Sequence, residues 1–169
     1  AATHNIILLT DADCRPQSPY WAKTMAGFLD DETDIVLGFS PYNTQPGLLN
    51  KLIRYETLMT AHLYGGLAMM GLPYMGVGRN LAYRKQLYLQ SNARVKYADT
   101  LSGDDDLLVN EMATKNNTKI CGINEGIVWS SPKTTWSDWW HQKRRHSGAG
   151  LHYKWSTKTL LSIIYVPTT

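Results

Sequence analysis

The sequence has little cysteine and no apolar run long enough to cross a membrane. Its two cysteines, Cys14 and Cys121, lack the spacing of a zinc site, so neither a disulfide framework nor a zinc centre is expected. A reducing compartment is the default for such a chain. The apolar stretch from Leu160 to Val166 is far too short to span a bilayer. We therefore expect this chain itself to be soluble.

The sequence does contain enough apolar residues for one core, together with a local excess of basic residues. Its 169 residues are 43% hydrophobic and 18% charged, which fits one globular α/β domain and excludes a disordered chain. The net charge is only +3, but six Lys or Arg face a single acid, Asp138, between Lys133 and Lys158. This excess indicates an anionic ligand or a membrane surface, or else a solvated basic face.

The first candidate site follows an apolar segment. Ile6 to Leu9 fits a strand covered on both faces, as in a parallel α/β sheet, and it leads into Asp11 and Asp13. Ligands of such sheets sit beyond the carboxyl ends of the strands. Two carboxylates there suit Mg²⁺ or Mn²⁺, with substrate phosphates completing the coordination. The alternative is a strand-ending turn in which Asp13 caps the following loop.

The next part of the chain predicts two helices and an apolar loop. Ser18-Pro19 predicts a helix that continues to about Leu29, and Pro46-Gly47 predicts the start of a longer one. Between Gly65 and Met75 the composition changes to Gly, Met, Leu and Pro. That composition indicates an apolar loop or a shallow membrane-facing patch.

The segment from Gly76 to Lys85 is the second candidate site. Gly76 and Gly78 permit close approach of the backbone to a ligand, and Arg79 and Asn80 have the chemistry to bind hydroxyls or phosphate. The third glycine and the following acid of the dinucleotide-binding fingerprint are missing, which argues against that fingerprint. The alternative is a strand that begins at a glycine kink.

The third candidate site is acidic and the fourth is basic. Ser102 to Val109 predicts the start of a helix with three consecutive acids, of which capping and the helix dipole explain at most two. Repulsion between the carboxylates raises one of their proton affinities, which suits a general base. Trp136, Trp139 and Trp140 lead into the basic segment His141 to His146, which suits nucleic acid, phospholipid or a diphosphate.

Together these sites resemble family 2 inverting glycosyltransferases, which include the cellulose and hyaluronan synthases. The sequence has Asp11-Ala12-Asp13, Gly76-Val77-Gly78-Arg79-Asn80, Gly103-Asp104-Asp105-Asp106-Leu107 and Gln142-Lys143-Arg144-Arg145-His146 in the order found in that family. The likeness covers Asn5 to about His152 and implies a GT-A-like, Rossmann-like fold for nucleotide-diphospho-sugar transfer. We expect residues 1–150 to be catalytic and residues 151–169 to form an interfacial helix, with core packing as the alternative for that segment.

The resemblance also implies roles for individual residues. Asp13 would bind the Mg²⁺ or Mn²⁺ ion, and Asp11 would help to hold the nucleotide. Asp104 matches the catalytic base, while Gln142 and Arg145 match a signature that holds the donor diphosphate. An acceptor-side or auxiliary role falls to Gly78, Arg79, Asn80, Asp105, Asp106, Arg144 and His146.

The sequence departs from the family in two motifs and at its start. Gly103 stands where the family usually has Glu, and His146 stands where processive members have Trp, so a processive synthase is not implied. Family members have further strands before the Asp-x-Asp, so we expect this chain to be the C-terminal portion of a catalytic domain. Its exposed edge at Ile6 to Leu9 should favour self-association, and the isolated chain should have little activity.

The activity implied by the resemblance is inverting transfer of a sugar from a UDP- or GDP-sugar to a glycan or lipid acceptor. It would serve polysaccharide or glycolipid synthesis at the cytoplasmic face of a membrane. The expected partners are those substrates, the membrane surface and a second copy of the chain, without nucleic acid.

Two alternatives stay open. A basic module for nucleic acid or anionic lipid would leave both acidic sites without a role. Metal-dependent phosphoryl transfer would require Asp13 and the acids from Asp104 to Asp106 to share two metals.

Overall fold

The computed structural model describes residues 3–91, 104–147 and 153–165 and shows a mixed α/β fold. Within those ranges, the side chains of residues 104, 146, 147 and 163–165 lie outside the description. The strands are β1 (Ile6–Leu9), β2 (Cys14–Pro16), β3 (Ile35–Gly38), β4 (Leu81–Arg84), β5 (Thr118–Cys121) and β6 (Val128–Ser130). The α/β class predicted from the sequence is confirmed at this level.

The main sheet has the strand order β1-β4-β3-β5 and is mixed. Strand β4 pairs antiparallel with both β1 and β3, whereas β3 and β5 are parallel. The parallel sheet expected around Ile6 to Leu9 is therefore not found there, because β4 lies reversed between β1 and β3. Strand β1 is half-buried, and its only strand partner within the described chain is β4. Both faces of β1 are covered, as predicted, because Ile7 and Leu9 pack on one part of the core and Ile6 and Leu8 on the other.

A second, two-stranded sheet joins β2 to β6 and was not predicted. The two strands are antiparallel, with Cys14 opposite Ser130 and Pro16 opposite Val128. Strand β2 is only three residues long and ends in proline, so it has neither the length nor the alternation by which a strand is detected in a sequence. Its effect is to fix the chain that follows Asp13.

The helices are α1 (Trp21–Gly27), α2 (Leu48–Met69), α3 (Lys85–Gln90), α4 (Asp104–Met112), α5 (Trp136–Ser147) and α6 (Trp155–Tyr165). Short 3₁₀ turns precede β4 (Gly78–Asn80) and β6 (Asn124–Gly126). Helix α1 starts later than predicted because Ser18 forms a turn in which its carbonyl accepts from the Trp21 N–H at 3.1 Å. No helix in the described part of the chain is long and apolar enough to cross a membrane.

The predicted apolar loop from Gly65 to Met75 is wrong in its first half. Helix α2 continues through Gly65 and Gly66 to Met69, since Tyr64 and Leu67 are buried against the sheet. Packing of this face outweighs the low helix propensity of two glycines. The helix ends at Met69, and two residues later Gly71 has a φ of +82°, the left-handed conformation that glycine adopts without cost.

The core lies on both faces of the sheet, as alternation along β3 requires. Ile35 and Leu37 pack on one face with α2 and α4, while Val36 packs on the other with Met25 of α1. Helix α6 also packs on the first face through Leu160 and Leu161.

Candidate functional site

A cavity of about 530 Å³ lies at one end of the sheet. Strands β1 and β3 run in the same direction, so their carboxyl ends and the start of β4 meet at this end. The residues that line the cavity come from those three points and from α2, α4, α5 and Tyr153. They are Asp11, Phe39, Ser40, Tyr42, Ile53, Glu56, Thr57, Thr60, Ala61, Tyr64, Met75, Gly76, Val77, Gly78, Arg79, Asp105, Asp106, Trp139, Gln142, Lys143, Arg145 and Tyr153.

All four sequence motifs contribute side chains or backbone to this cavity. The contributing residues with a predicted role are Asp11, Gly78, Arg79, Asp105, Asp106, Gln142 and Arg145. Asp13 and Arg144 are exposed and do not line it. Asp104 begins helix α4, but its side chain, like that of His146, lies outside the described part. The structure thus brings most of the predicted set together and leaves the predicted base undescribed.

Asp11, Asp13 and Cys14 form the group of acids and thiols most suited to a metal ion. One potential ligand atom from each lies within 4.8 Å of the others. The two carboxylates are exposed and provide the hard oxygens that Mg²⁺ and Mn²⁺ prefer. The Cys14 thiol is buried and lies 3.0 Å from the Ser130 hydroxyl, so it suits a structural role better. The carboxylates of Asp11 and Asp13 have the donor chemistry that would fit a hard divalent ion, and Asp11 also lines the cavity.

Asn80 does not line the cavity and has its side chain fully engaged elsewhere. Its amide donates to the carbonyls of Phe39 at 2.8 Å and Gly126 at 2.7 Å, and its Oδ1 accepts from the Trp21 indole at 3.0 Å. The residue is completely buried. These bonds connect the end of β3 to the turn before β4. Asn80 therefore holds in place two segments that line the cavity, without lining it itself.

Glycines 76 and 78 permit close packing of α4 against the turn before β4. A Cβ at Gly78 would overlap the Asp105 carboxylate, and a Cβ at Gly76 would lie 3.0 Å from Leu37. The backbone N–H of Gly76 also donates to Asp106. These glycines therefore hold the two carboxylates of α4 at the cavity wall, a role that differs from phosphate binding.

Asp106 is an acid of the cavity whose pKa is shifted far from its usual value. Burial raises its pKa to about 7, although the hydrogen bonds from the Tyr153 hydroxyl and the Gly76 N–H oppose that shift. The Tyr153 hydroxyl donates to Oδ2, while Oδ1 is buried and has no hydrogen-bond partner among the described residues. A carboxyl with a pKa near neutrality can hold or release a proton under ordinary conditions.

Tyr42 connects the second motif to the fourth. The Arg79 guanidinium stacks over its ring, with 4.5 Å from Cζ to the ring centroid, and Gln142 donates to its hydroxyl at 3.4 Å. Close by, burial raises the pKa of Tyr64 to about 12, with Arg79 opposing the shift. The Tyr64 hydroxyl donates to the Gly38 carbonyl at 2.8 Å. Two tyrosines that no motif indicated, Tyr42 and Tyr64, therefore lie next to Arg79 in the cavity.

Helices α2 and α5 meet across the cavity through an ion pair. Lys143 lies 2.8 Å from Glu56 and 5.7 Å from the centre of the Trp139 ring. The Trp139 indole packs with Tyr42 and Ile53. Glu56 compensates the charge of Lys143, and Arg79 and Arg145 are the other basic residues that line the cavity.

Three buried side-chain atoms without a partner all belong to residues of this cavity. Within the described chain they are Arg79 Nη1, Asp106 Oδ1 and Trp139 Nε1. Buried polar atoms are nearly always hydrogen-bonded in folded proteins. Each such atom lowers the stability of the fold, because its hydrogen bond to water is lost and not replaced. A cluster of them at one cavity is typical of a binding site.

Sequence reasoning predicted helix α2 but assigned no site residue to it. Glu56, Thr60 and Tyr64 recur at four-residue intervals and line the cavity. That regular four-residue spacing, which places the three side chains on one side of the helix, is the signal that could have identified them. Tyr42 and Tyr153 lie outside any pattern, so only the fold could reveal them.

Comparison with known proteins leaves the function open. No protein-family model matches the chain, and no curated protein sequence matches it significantly.

Proposed function

We propose that this protein is an inverting glycosyltransferase that uses a nucleotide-diphospho-sugar and a divalent metal ion, on a GT-A-like fold. The observation that supports this proposal best is the single cavity lined by residues of all four motifs. Its position beyond the carboxyl ends of β1 and β3 is the usual place for a ligand on an open α/β sheet.

The donor diphosphate would lie between Asp11 and the basic wall. Asp11 and Asp13 would bind Mg²⁺ or Mn²⁺, which supplies positive charge that stabilises the leaving diphosphate. Arg145 and Arg79 would face the same charge from the other side, where Tyr42 orients the Arg79 guanidinium. Cations held in place before the reaction stabilise developing charge without reorganisation.

The acceptor hydroxyl would lose its proton to a carboxylate of α4. The sequence assigns this role to Asp104, and Asp105 and Asp106 present their carboxylates to the cavity from the same turn. Proton acceptance would strengthen the hydroxyl oxygen as a nucleophile, which attacks the anomeric carbon opposite the diphosphate. Direct displacement of this kind inverts the anomeric configuration.

Phosphoryl transfer with two shared metals receives less support. Among the residues whose side chains the structure describes, the cluster that could hold an ion comprises Asp11, Asp13 and Cys14, and it includes neither Asp105 nor Asp106. Two-metal chemistry needs ions about 3.5–4 Å apart, and therefore acids from both sites in one cluster. An acidic site that does not share an ion with Asp11 and Asp13 would suit glycosyl transfer better, since a sugar must fit between the metal and the base.

Contact with anionic lipid is a second candidate function, and it is compatible with the first. Trp136 and Trp140 on α5 are 51% and 59% exposed, and the same helix has the exposed residues His141 and Arg144. Exposed tryptophans beside basic residues are typical of surfaces that lie on a membrane interface.

The experiment that tests the transferase proposal is an assay of the full-length protein with UDP- and GDP-sugars and Mn²⁺. We expect release of UDP or GDP from at least one donor, with loss of that activity in Asp13→Ala. Asp31→Ala, which removes an exposed acid far from the motifs in sequence, is the matched control. No release from any donor, or equal release by Asp13→Ala, would refute the proposal.

A further inference from the structure

The unpartnered atoms of the cavity define the chemistry of what it binds. Arg79 Nη1 and Trp139 Nε1 are donors, and Asp106 Oδ1 is an oxygen whose role depends on protonation. A carboxylate offers about four acceptor positions, and the hydrogen bonds recorded for Asp106 come from Tyr153 and Gly76. The cavity therefore has both donating and accepting capacity that the protein leaves unused.

Only some ligand classes match that combination. An aliphatic chain would leave all three atoms unsatisfied, and burial without a partner is costly. An anion alone would satisfy the two donors but would repel an ionised Asp106. A polyhydroxylated molecule can donate to Asp106 and accept from Arg79 and Trp139, because each hydroxyl does both. Four aromatic residues, Tyr42, Tyr64, Trp139 and Tyr153, also belong to the cavity lining.

We propose that this cavity binds a carbohydrate and that Asp106, held by Tyr153, recognises one of its hydroxyl groups. This inference rests on the proposed function, since it names the chemical group that the same site recognises. It gives Asp106 a specificity-determining role, separate from the proton acceptance predicted for Asp104. A site built to bond a hydroxyl discriminates strongly against analogues that lack it, because its own buried group is then left unpaired.

Tyr153 is the positioning residue in this arrangement. Its hydroxyl donates to Asp106, and its ring packs edge to face on Tyr74 with 6.1 Å between centroids. The segment is fixed to α4 at a second point, since the Lys154 N–H donates to the Asn110 side chain at 2.8 Å. Rotation about the terminal bond of Asp106 is soft, so its oxygens can exchange between Tyr153 and a ligand.

The test uses saturation-transfer NMR with the methyl glycosides of glucose, galactose, mannose and N-acetylglucosamine on the full-length protein. We expect at least one glycoside to bind and its apparent affinity to fall about tenfold or more in Asp106→Ala. Asp31→Ala is the control, and circular dichroism establishes that each variant is folded. Absence of binding by all four glycosides, or equal binding by wild type and Asp106→Ala, would overturn the proposal.

Tyr153→Phe provides an independent test that does not depend on folding of the Asp106 variant. It should weaken glycoside binding less than Asp106→Ala and should raise the carboxyl pKa of Asp106, measured by ¹³C NMR, because a stabilising donor is lost. Tyr20→Phe, at a residue that is 66% exposed, is the control. An unchanged Asp106 pKa in Tyr153→Phe would refute the positioning role.

Failure of this inference can be distinguished from failure of the transferase proposal. Mn²⁺-dependent binding of UDP or GDP without Asp106-dependent glycoside binding would refute only the inference. Asp106-dependent glycoside binding without any nucleotide binding would support a carbohydrate site and refute the transferase.

Discussion

The two ends of the main sheet differ in whether their charged and polar side chains have partners. At the amino end of β3, Asp30 is bonded to Lys119 and Asp34 lies 3.5 Å from Arg84. The Arg84 guanidinium also donates to the Asp30 carbonyl at 2.6 Å. At the carboxyl end, by contrast, polar atoms of the cavity are buried without partners. The amino end of β3 is stabilised by ion pairs, whereas the cavity end has buried polar atoms that no described residue bonds.

Asp30 and Asp106 show this difference in single carboxyl groups. The hydrogen bonds from Lys119 and Thr33 hold the pKa of Asp30 well below its usual range. Burial raises the pKa of Asp106 to about 7. An acid with every oxygen occupied is poorly suited to chemistry, while a buried acid with spare capacity is typical of functional sites.

The largest expected effect at the cavity end is loss of nucleotide binding in Asp13→Ala. Because Asp13 would hold the metal through which the diphosphate binds, calorimetry on the full-length protein should show Mn²⁺-dependent binding of UDP or GDP only in the wild type. Asp30→Ala, at the opposite end of the sheet, should bind like the wild type. Retained binding by Asp13→Ala would favour the interpretation that Asp11 to Cys14 is only a turn.

The next effect is on turnover. Asp104→Asn keeps the size of the side chain but removes its ability to accept a proton, so kcat should fall about 10²-fold or more with donor binding retained. Asp30→Asn is the matched variant at the other end and should leave kcat nearly unchanged. Near-normal turnover by Asp104→Asn would show that Asp104 is not the base. Asp105→Asn and Asp106→Asn would then identify which of the two accepts the proton.

A smaller effect concerns stability against pH. Because the folded state raises the pKa of Asp106 from 3.8 to about 7, the stabilising contribution of its neutral form is complete below pH 4. That contribution is lost as the pH rises from about 4 through 7, at up to about 1.4 kcal/mol per pH unit. Chemical denaturation of wild type and Asp106→Asn should therefore give profiles that diverge across this window. Parallel profiles would contradict the burial of an ionisable Asp106.

The smallest effect is expected from Lys119→Met at the paired end. This variant removes an exposed ion pair, so Tm should fall slightly at low salt and the difference should shrink at high salt, where charges are screened. Its pH dependence should have the opposite sign to that of Asp106, because the contribution of Asp30 is present above its unfolded pKa and lost as the pH falls. A difference in Tm that is independent of salt would show that packing, and not charge, is responsible.

Much of the secondary structure could be predicted because local patterns specify it. The strand from Ile6 to Leu9 and the acidic start of α4 both appear where the sequence predicts them. The reversed direction of β4 could not be predicted, because direction depends on which neighbour a strand pairs with and not on its own residues. The continuation of α2 through Gly65 and Gly66 depends likewise on the burial of Tyr64 and Leu67.

The candidate site was predictable where chemistry is concentrated in short motifs. Asp11, Arg79, Asp106 and Arg145 were all identified from their sequence context and line the same cavity. Asn80 was assigned to the site on the same grounds, but its polar groups bond to the backbone behind the cavity and to Trp21. A sequence motif indicates that a residue is important, but it does not show whether the side chain contacts a ligand or holds the fold together.

The central claim is tested most directly by the configuration of the transferred sugar. Incubation of the full-length protein with an α-linked UDP- or GDP-sugar, Mn²⁺ and the methyl glycosides used above should give a new glycosidic bond. Its anomeric proton, observed by NMR before any equilibration, should have the coupling constant of the β-anomer for gluco- and galacto-configured sugars. An α-linked product, or phosphoryl transfer from the nucleotide without any new glycosidic bond, would contradict the account.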